Sequence, residues 1–313
     1  MEKIELHRHL DCSMRWSTLK RIAQKLDPSL PKDDADLRSL FLILTPMQDL
    51  ATVLSKFTRL QSVLCHENVL EILSEEVVQD CFHDGITQVE LRYSPTFIQG
   101  PHPVLTFDQI HQAILRGLQR AKNKYPVKVG LICILQRTLS VSENSNVCDF
   151  AISNKDTFVG VDLADNESAN SLVFKELFLR AKKAGLKITI HAGEAPGMQD
   201  NIRIAIDELG ADRIGHGVQA VHDPSLIQKL VREKIPLELC PTSNWLTQAV
   251  DKIEEHPIKK LFHEGILTTI NTDDPGVFDL TLSHEIQVCE QLGMSKDEIQ
   301  KCMKYAAAAS FIP

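Results

Sequence analysis

The segment Ile4-Glu5-Leu6-His7-Arg8-His9-Leu10-Asp11-Cys12-Ser13 decides the fold. A short apolar run at the head of an α/β chain reads as a first parallel strand, here Ile4–His9. In an open doubly wound sheet a glycine-rich phosphate loop would follow it, and this chain has His-Leu-Asp-Cys-Ser instead. Strand side chains alternate with period two, so His7 and His9 project to one face while Arg8 points away. Without that loop a closed barrel is favoured, and in such a barrel reactive groups gather at the C-terminal strand ends.

Seven more runs of the same kind follow: Thr87–Tyr93, Val127–Leu135, Phe158–Leu163, Lys187–His191, Arg213–His216, Leu237–Cys240 and Leu267–Asn271. Several are continuously apolar, as strands buried on both faces are. Helix punctuation lies between them. Leu70, Leu73, Val77, Val78 and Cys81 recur at helical spacing, with Gly85 placed to end the helix. Thr106 with Gln109 and Ser295 with Glu298 read as capping boxes, and Asp223-Pro224 as a capping acid before a first-turn proline. Eight strands alternating with helices predict a (β/α)8 TIM-type barrel, one domain over residues 1–313. The stretch 11–62, mostly helical in pattern, supplies extra helices expected to cap the C-terminal mouth.

Composition narrows the partners. A formal net charge of -8 disfavours nucleic acid and anionic membranes, while leaving room for a small nucleotide. Eight scattered cysteines include no CxxC pair, which excludes a zinc ribbon or redox dithiol and suits reduced thiols in the cytoplasm. No apolar run reaches the roughly 18 residues of a membrane span, and the first residues lack a signal-peptide core. Oligomeric state is not written in the sequence.

Four strand ends carry unusual polar groups: His7 and His9; His191-Ala192-Gly193-Glu194; His216-Gly217; and Asn271-Thr272-Asp273-Asp274-Pro275. Three imidazoles and a carboxylate converging on one mouth suit a borderline metal such as zinc, with a position left for water. Binuclear barrel hydrolases commonly bridge their metals through a lysine after the fourth strand. That end reads Val161-Asp162-Leu163-Ala164-Asp165-Asn166-Glu167, so a single metal is expected. The remaining histidines, His66, His83, His102, His111, His222, His256, His263 and His284, read as surface or loop residues.

The motifs HRHLD, HAGE, GHG, CPTSN and NTDDP, in this order, resemble the adenosine deaminase family over essentially the whole chain. The resemblance implies one Zn2+ per chain, held by His7, His9, His191 and Asp273. It implies Glu194 as the proton shuttle to purine N1, and His216 as the group orienting the attacking water. Asp274 would bond N7 of the ring, or merely orient a ligand or cap the next turn. Asp11 would contact a ribose hydroxyl, or cap the helix that follows. Val53, Leu54 and Phe57 look like an apolar lid over the substrate, or ordinary core. The implied reaction converts adenosine or 2′-deoxyadenosine to the inosine product and ammonia.

Two departures bear on the substrate. Cys12 stands where the family usually has glycine. Asp165 replaces the glycine of DLAG, whose amide reaches N3 of the purine, so a carboxylate is expected at the pocket wall. Adenine, an N6-substituted adenine nucleotide or another 6-aminopurine adduct is the alternative substrate, with Arg15, Arg59, Arg92 and Arg137 as candidates to meet a phosphate. A purine-binding homologue without turnover is the alternative of another class.

Overall fold

The computed structural model describes residues 2–47 and 50–313, the side chains of 50–54 excepted. Eight parallel strands follow one another in chain order around a single barrel: β1 (Lys3–His9), β2 (Ile86–Tyr93), β3 (Lys128–Gln136), β4 (Phe158–Ala164), β5 (Lys187–Ala192), β6 (Arg213–His216), β7 (Leu237–Leu239) and β8 (Thr268–Ile270). The ring closes between its first and last members. His9 N–H donates to the Asp273 carbonyl at 2.8 Å, and Asp273 N–H donates to the His7 carbonyl at 3.0 Å. Closure therefore falls on the residues expected to carry the chemistry.

The helical signals hold. Helix Glu67–His83 buries Leu70, Leu73, Val77, Val78 and Cys81, and Gly85 follows at φ +79°. Both capping boxes form, and Asp223 accepts from the amides of Ser225 and Leu226 ahead of helix Pro224–Glu233. Helices Trp16–Leu26, Asp34–Phe41 and Leu50–Val63 fill the stretch between β1 and helix Glu67–His83. Ile43 N–H donates to the Val277 carbonyl and Met47 N–H to that of Leu246. These bonds fasten that stretch over the segments leaving β8 and β7, which is the mouth side.

The barrel lumen is ionic rather than apolar. Arg213 of β6 pairs with Glu90 of β2 at 2.5 Å and Glu238 of β7 at 2.6 Å; Arg92 of β2 pairs with Asp162 of β4 and Glu238, both at 2.8 Å. Partners on non-adjacent strands must reach across the interior. Such buried charges persist only when fully paired, and removing one partner costs about 3–5 kcal/mol. Arg92 is therefore a lumen residue, not one waiting at the mouth for a phosphate.

Two histidines expected at the surface are buried. His111 has a ring nitrogen 2.8 Å from the Tyr93 hydroxyl and the other 2.8 Å from Thr157 Oγ1, and it stacks on Phe158. His256 lies behind the strand ends near His216. In both, hydrogen bonds to buried groups replace the water that spacing alone had assigned to them. The eight cysteines are unpaired and, apart from Cys65, buried. No described helix is long and apolar enough to cross a membrane.

Candidate active site

His7 and His9 at the end of β1, His191 in β5, His216 closing β6 and Asp273 after β8 meet at the mouth. His7 Nε2 is 3.1 Å and His9 Nε2 3.4 Å from Asp273 Oδ1. His9 Nε2 is 3.2 Å from His191 Nε2, and His216 Nε2 is 3.9 Å from Asp273 Oδ2. Strand ends that turn sharply deliver them. His216 (φ +58°) and Asp273 (φ +67°) both adopt left-handed backbone, sparsely populated for side-chain-bearing residues and concentrated at functional sites.

What stands behind the imidazoles fixes their tautomers. Glu238 Oε2 lies 2.8 Å from His7 Nδ1, and Asp162 Oδ2 3.0 Å from His191 Nδ1. Burial opposes ionisation of Glu238, but Arg92, Arg213 and His7 outweigh it and hold its carboxyl well below the usual range. Asp162 is likewise lowered, against burial, by His191 and Arg92. Each carboxylate accepts the Nδ1 proton, which leaves Nε2 a bare lone pair aimed at the mouth.

These lone pairs fit a cation. His7 Nε2 is buried without a hydrogen-bond partner and faces the Asp273 carboxylate. Burial opposes charge on Asp273, yet His216 and His7 keep its carboxyl well below the ordinary range, and Ser243 Oγ donates to its Oδ2 at 2.6 Å. Bare nitrogens crowded against one another and against an anion repel unless a metal lies between them. His7, His191, His216 and Asp273 offer ligand atoms within 4.8 Å of one another, as do His9, Asp273 and Asp274.

Glu194 sits on the loop leaving β5. Its Oε1 accepts from Thr247 Oγ1 at 3.2 Å, and its Oε2 is 3.6 Å from His216 Nε2. Burial pushes its carboxyl up, His216 opposes, and Asp273 and Glu167 add to the rise. The loop is pinned by Glu167, which sequence reasoning passed over. Its carboxylate accepts from the amides of Gly193 (2.8 Å), Glu194 (2.7 Å) and Ala195 (3.2 Å), and from Asn201 Nδ2 (3.1 Å). Gly193 is at φ +67°, and a Cβ there would lie 2.4 Å from Ile202 Cδ1, so only glycine passes.

Asp11 does not cap the next helix, which begins at Trp16 behind Arg15. Its Oδ2 accepts the Ser94 amide at 3.0 Å, while its buried Oδ1 has no hydrogen-bond partner. Burial raises its carboxyl to about 7, against the Ser94 hydrogen bond. Asp274 precedes helix Pro275–Phe278 without a side-chain cap bond, and its Oδ1 is buried and unpartnered. Burial, then the charges of Asp273 and Asp11, push it far above the usual range, while a hydrogen bond from the Cys12 thiol works the other way.

Asp165 follows β4 at φ +85°, which explains why glycine is the easier residue there. Its side chain is exposed; Thr138 Oγ1 donates to Oδ2 and the Asn166 amide to Oδ1 at 2.7 Å. Arg15 is engaged by Asp80 on helix Glu67–His83 at 2.6 Å, and Arg137 is buried, donating to the His191 carbonyl at 2.6 Å. Arg59 is exposed on helix Leu50–Val63. Phe57, on the same helix, packs half-buried against the main core, while the side chains of Val53 and Leu54 lie outside the described residues.

Comparisons with known proteins place the whole chain in one family. The family model described as adenosine deaminase matches residues 2–313. The adenosine deaminase of Vibrio parahaemolyticus is 35% identical over 311 residues, 98% of this chain and 92% of that protein. Among solved structures, an adenine deaminase from Arthrobacter aurescens superposes with a TM-score of 0.88 at 25% identity, covering 99% of this chain and 94% of its own. The N6-methyl-AMP deaminase of Arabidopsis thaliana gives 0.86 at 27%, covering 100% and 93%. A barrel closed on its metal-fitting residues, matched along its whole length, leaves one conclusion: the chain belongs to the adenosine deaminase family of metal-dependent hydrolases.

Proposed function

We propose that this protein hydrolyses the exocyclic amino group from a 6-aminopurine nucleoside, with adenosine and 2′-deoxyadenosine as substrates, in the cytoplasm. The observation that carries the reading is the buried, partnerless His7 Nε2 among clustered imidazoles, together with a raised carboxyl, Glu194, set 3.6 Å from His216. One zinc ion per chain, held by His7, His9, His191 and Asp273, would lower the pKa of a water towards about 7 and so supply a nucleophile at neutral pH.

The side chains do the rest. Glu194, whose carboxyl burial pushes up, is the group that gives a proton to N1 as oxygen adds to C6. His216 stands beside Asp273 and Glu194, on the side from which that oxygen arrives, and stabilises the charge that develops there. Asp274, its carboxyl pushed up by burial, faces N7 with an oxygen that has no protein partner and donates to it. The unpaired oxygen of Asp11 accepts from a ribose hydroxyl. The tetrahedral C6 adduct collapses to the carbonyl as its hydroxyl proton passes to the departing amino group, which leaves as ammonia, and the other proton of the added water restores Glu194.

A second substrate reading rests on Asp165 and on the solved neighbours named for adenine and N6-methyl-AMP deamination. Ammonia or methylamine release should be assayed with zinc-loaded protein on adenosine, 2′-deoxyadenosine, adenine, AMP and N6-methyl-AMP. Turnover led by the nucleosides supports the first reading, and turnover led by adenine or a nucleotide replaces it with the second. Release from none of them, with zinc bound, favours a binding protein.

A further inference from the structure

Four buried groups run in a row behind the site. His216 Nδ1 lies 3.0 Å from Asn244 Nδ2, Asn244 Oδ1 lies 3.1 Å from His256 Nε2, and His256 Nδ1 accepts the Ile258 backbone N–H at 3.2 Å. Asn244 is wholly buried and His256 and His216 nearly so, so water does not compete for these atoms.

The backbone amide sets the direction of the whole row, because it can only donate. His256 Nδ1 must then be a bare lone pair, and the neutral ring carries its proton on Nε2. That proton needs an acceptor, which is the Asn244 carbonyl oxygen. The Asn244 amide nitrogen consequently faces His216 and donates to Nδ1. A neutral His216 receiving a proton at Nδ1 keeps its own on Nε2, the nitrogen facing Glu194 and Asp273.

We infer that the row Ile258, His256 and Asn244 fixes His216 as the Nε2–H tautomer, making it a hydrogen-bond donor to the attacking oxygen rather than a metal ligand or a base. Asn244 and His256 are thus positioning residues. The contrast with the neighbouring rings carries the argument. His7 and His191 have carboxylates behind Nδ1, which take its proton and bare Nε2 for a metal. His216 lies close enough to join the same cluster, but has an amide donor at that place. Burial also lowers His256 to about 3, which agrees with the neutral ring that the hydrogen bonds require.

The role of His216 rests on the function proposed above, whereas its tautomer does not require turnover to be measured. Zinc-loaded protein labelled with 15N-histidine should show His216 with a protonated Nε2 and an unprotonated Nδ1, the signals being assigned by their loss in His216→Gln. His7 and His191 should show Nδ1 protonated. His216 protonated on Nδ1, or ligating zinc, overturns the inference even if the enzyme deaminates well.

Two variants add the functional readout. Asn244→Asp puts an acceptor behind Nδ1 and should turn the tautomer over, lowering kcat by about 10²-fold with KM moved less than about threefold. Asn244→Ala removes the donor without supplying an acceptor and should lower kcat less than Asn244→Asp does; an equal loss in the two variants overturns the inference. An unchanged tautomer or rate in Asn244→Asp also overturns the inference.

Discussion

Glu238 Oε2 lies 2.8 Å from His7 Nδ1, with neither side chain exposed to solvent. That contact joins the metal-facing end of β1 to the ion pairs of the lumen. From Glu238 the row continues through Arg213 to Glu90, which accepts from Ser310 Oγ at 2.6 Å and from the Phe311 amide at 2.5 Å. The chemistry at the mouth is thereby braced from the opposite end of the barrel.

Glu238→Gln tests this brace. An amide at this position need not take the Nδ1 proton, and His7 Nε2 is no longer held bare. Partners of this kind typically contribute about 10–100-fold to metal affinity. Competition with a chelator should show zinc held more weakly by that amount. Wild-type affinity in a folded Glu238→Gln protein would mean that Glu238 serves the lumen ion pairs alone.

The Glu167 clamp predicts a different pattern. Three successive amides and Asn201 converge on one carboxylate, so Glu167→Ala frees the loop that aims Glu194. A displacement of about 1 Å at a reacting group can cost on the order of 10²-fold in rate. The expected result is a kcat lowered by about tenfold or more with zinc content unchanged, and a smaller loss in Glu167→Gln, which keeps one accepting oxygen. Loss of zinc in step with activity would instead assign Glu167 to the metal site.

Much of this was legible in the residues, and the remainder for identifiable reasons was not. Each of the eight apolar runs became a strand within a few residues of its reading, because period and turn chemistry are local. The site motifs were legible because strand ends meet in any barrel. Glu167 was seen only as part of a lysine-free stretch, since which amides a loop carboxylate will meet depends on the next strand. Arg92 reads as one of four candidates to meet a phosphate, although a charge inside an apolar run is itself a sign of burial with a partner. Glu238, inside Leu237–Cys240, carried the same sign. His256 gave no local signal, because its neighbour Asn244 is brought to it by the turn after β7.

Asp165 offers a test of backbone strain separate from chemistry. At φ +85° its side chain offsets the left-handed conformation by accepting from Thr138 and from the Asn166 amide. Asp165→Gly removes the strain and the bonds together, and its melting temperature should stay close to wild type. Asp165→Ala keeps the strain without the bonds and should lose about 1–2 kcal/mol. The order Ala below Asp and Gly in thermal melts is the check. If Asp165→Gly also shifts preference among aminopurines, the side chain acts on the substrate as well.

Glu285 gives the pH prediction. It is wholly buried, accepts the Thr242 amide at 3.0 Å through Oε2, and has a partnerless Oε1. Burial, opposed by Thr242, raises its carboxyl from 4.5 to about 8. Between those values the folded protein holds a proton that the unfolded chain has released. Stability contributed by the neutral form is therefore full below about pH 4.5 and is lost as pH rises towards about 8. At about 1.4 kcal/mol per pKa unit the loss is on the order of several kcal/mol. Glu285→Gln reproduces the neutral carboxyl and still accepts from Thr242, so it should escape that slope. Its melting temperature should match wild type near about pH 5 and exceed it by several degrees near about pH 8.5. A difference constant across that range would mean that Glu285 is already ionised in the folded protein at about pH 5, with a counter-charge to hold it.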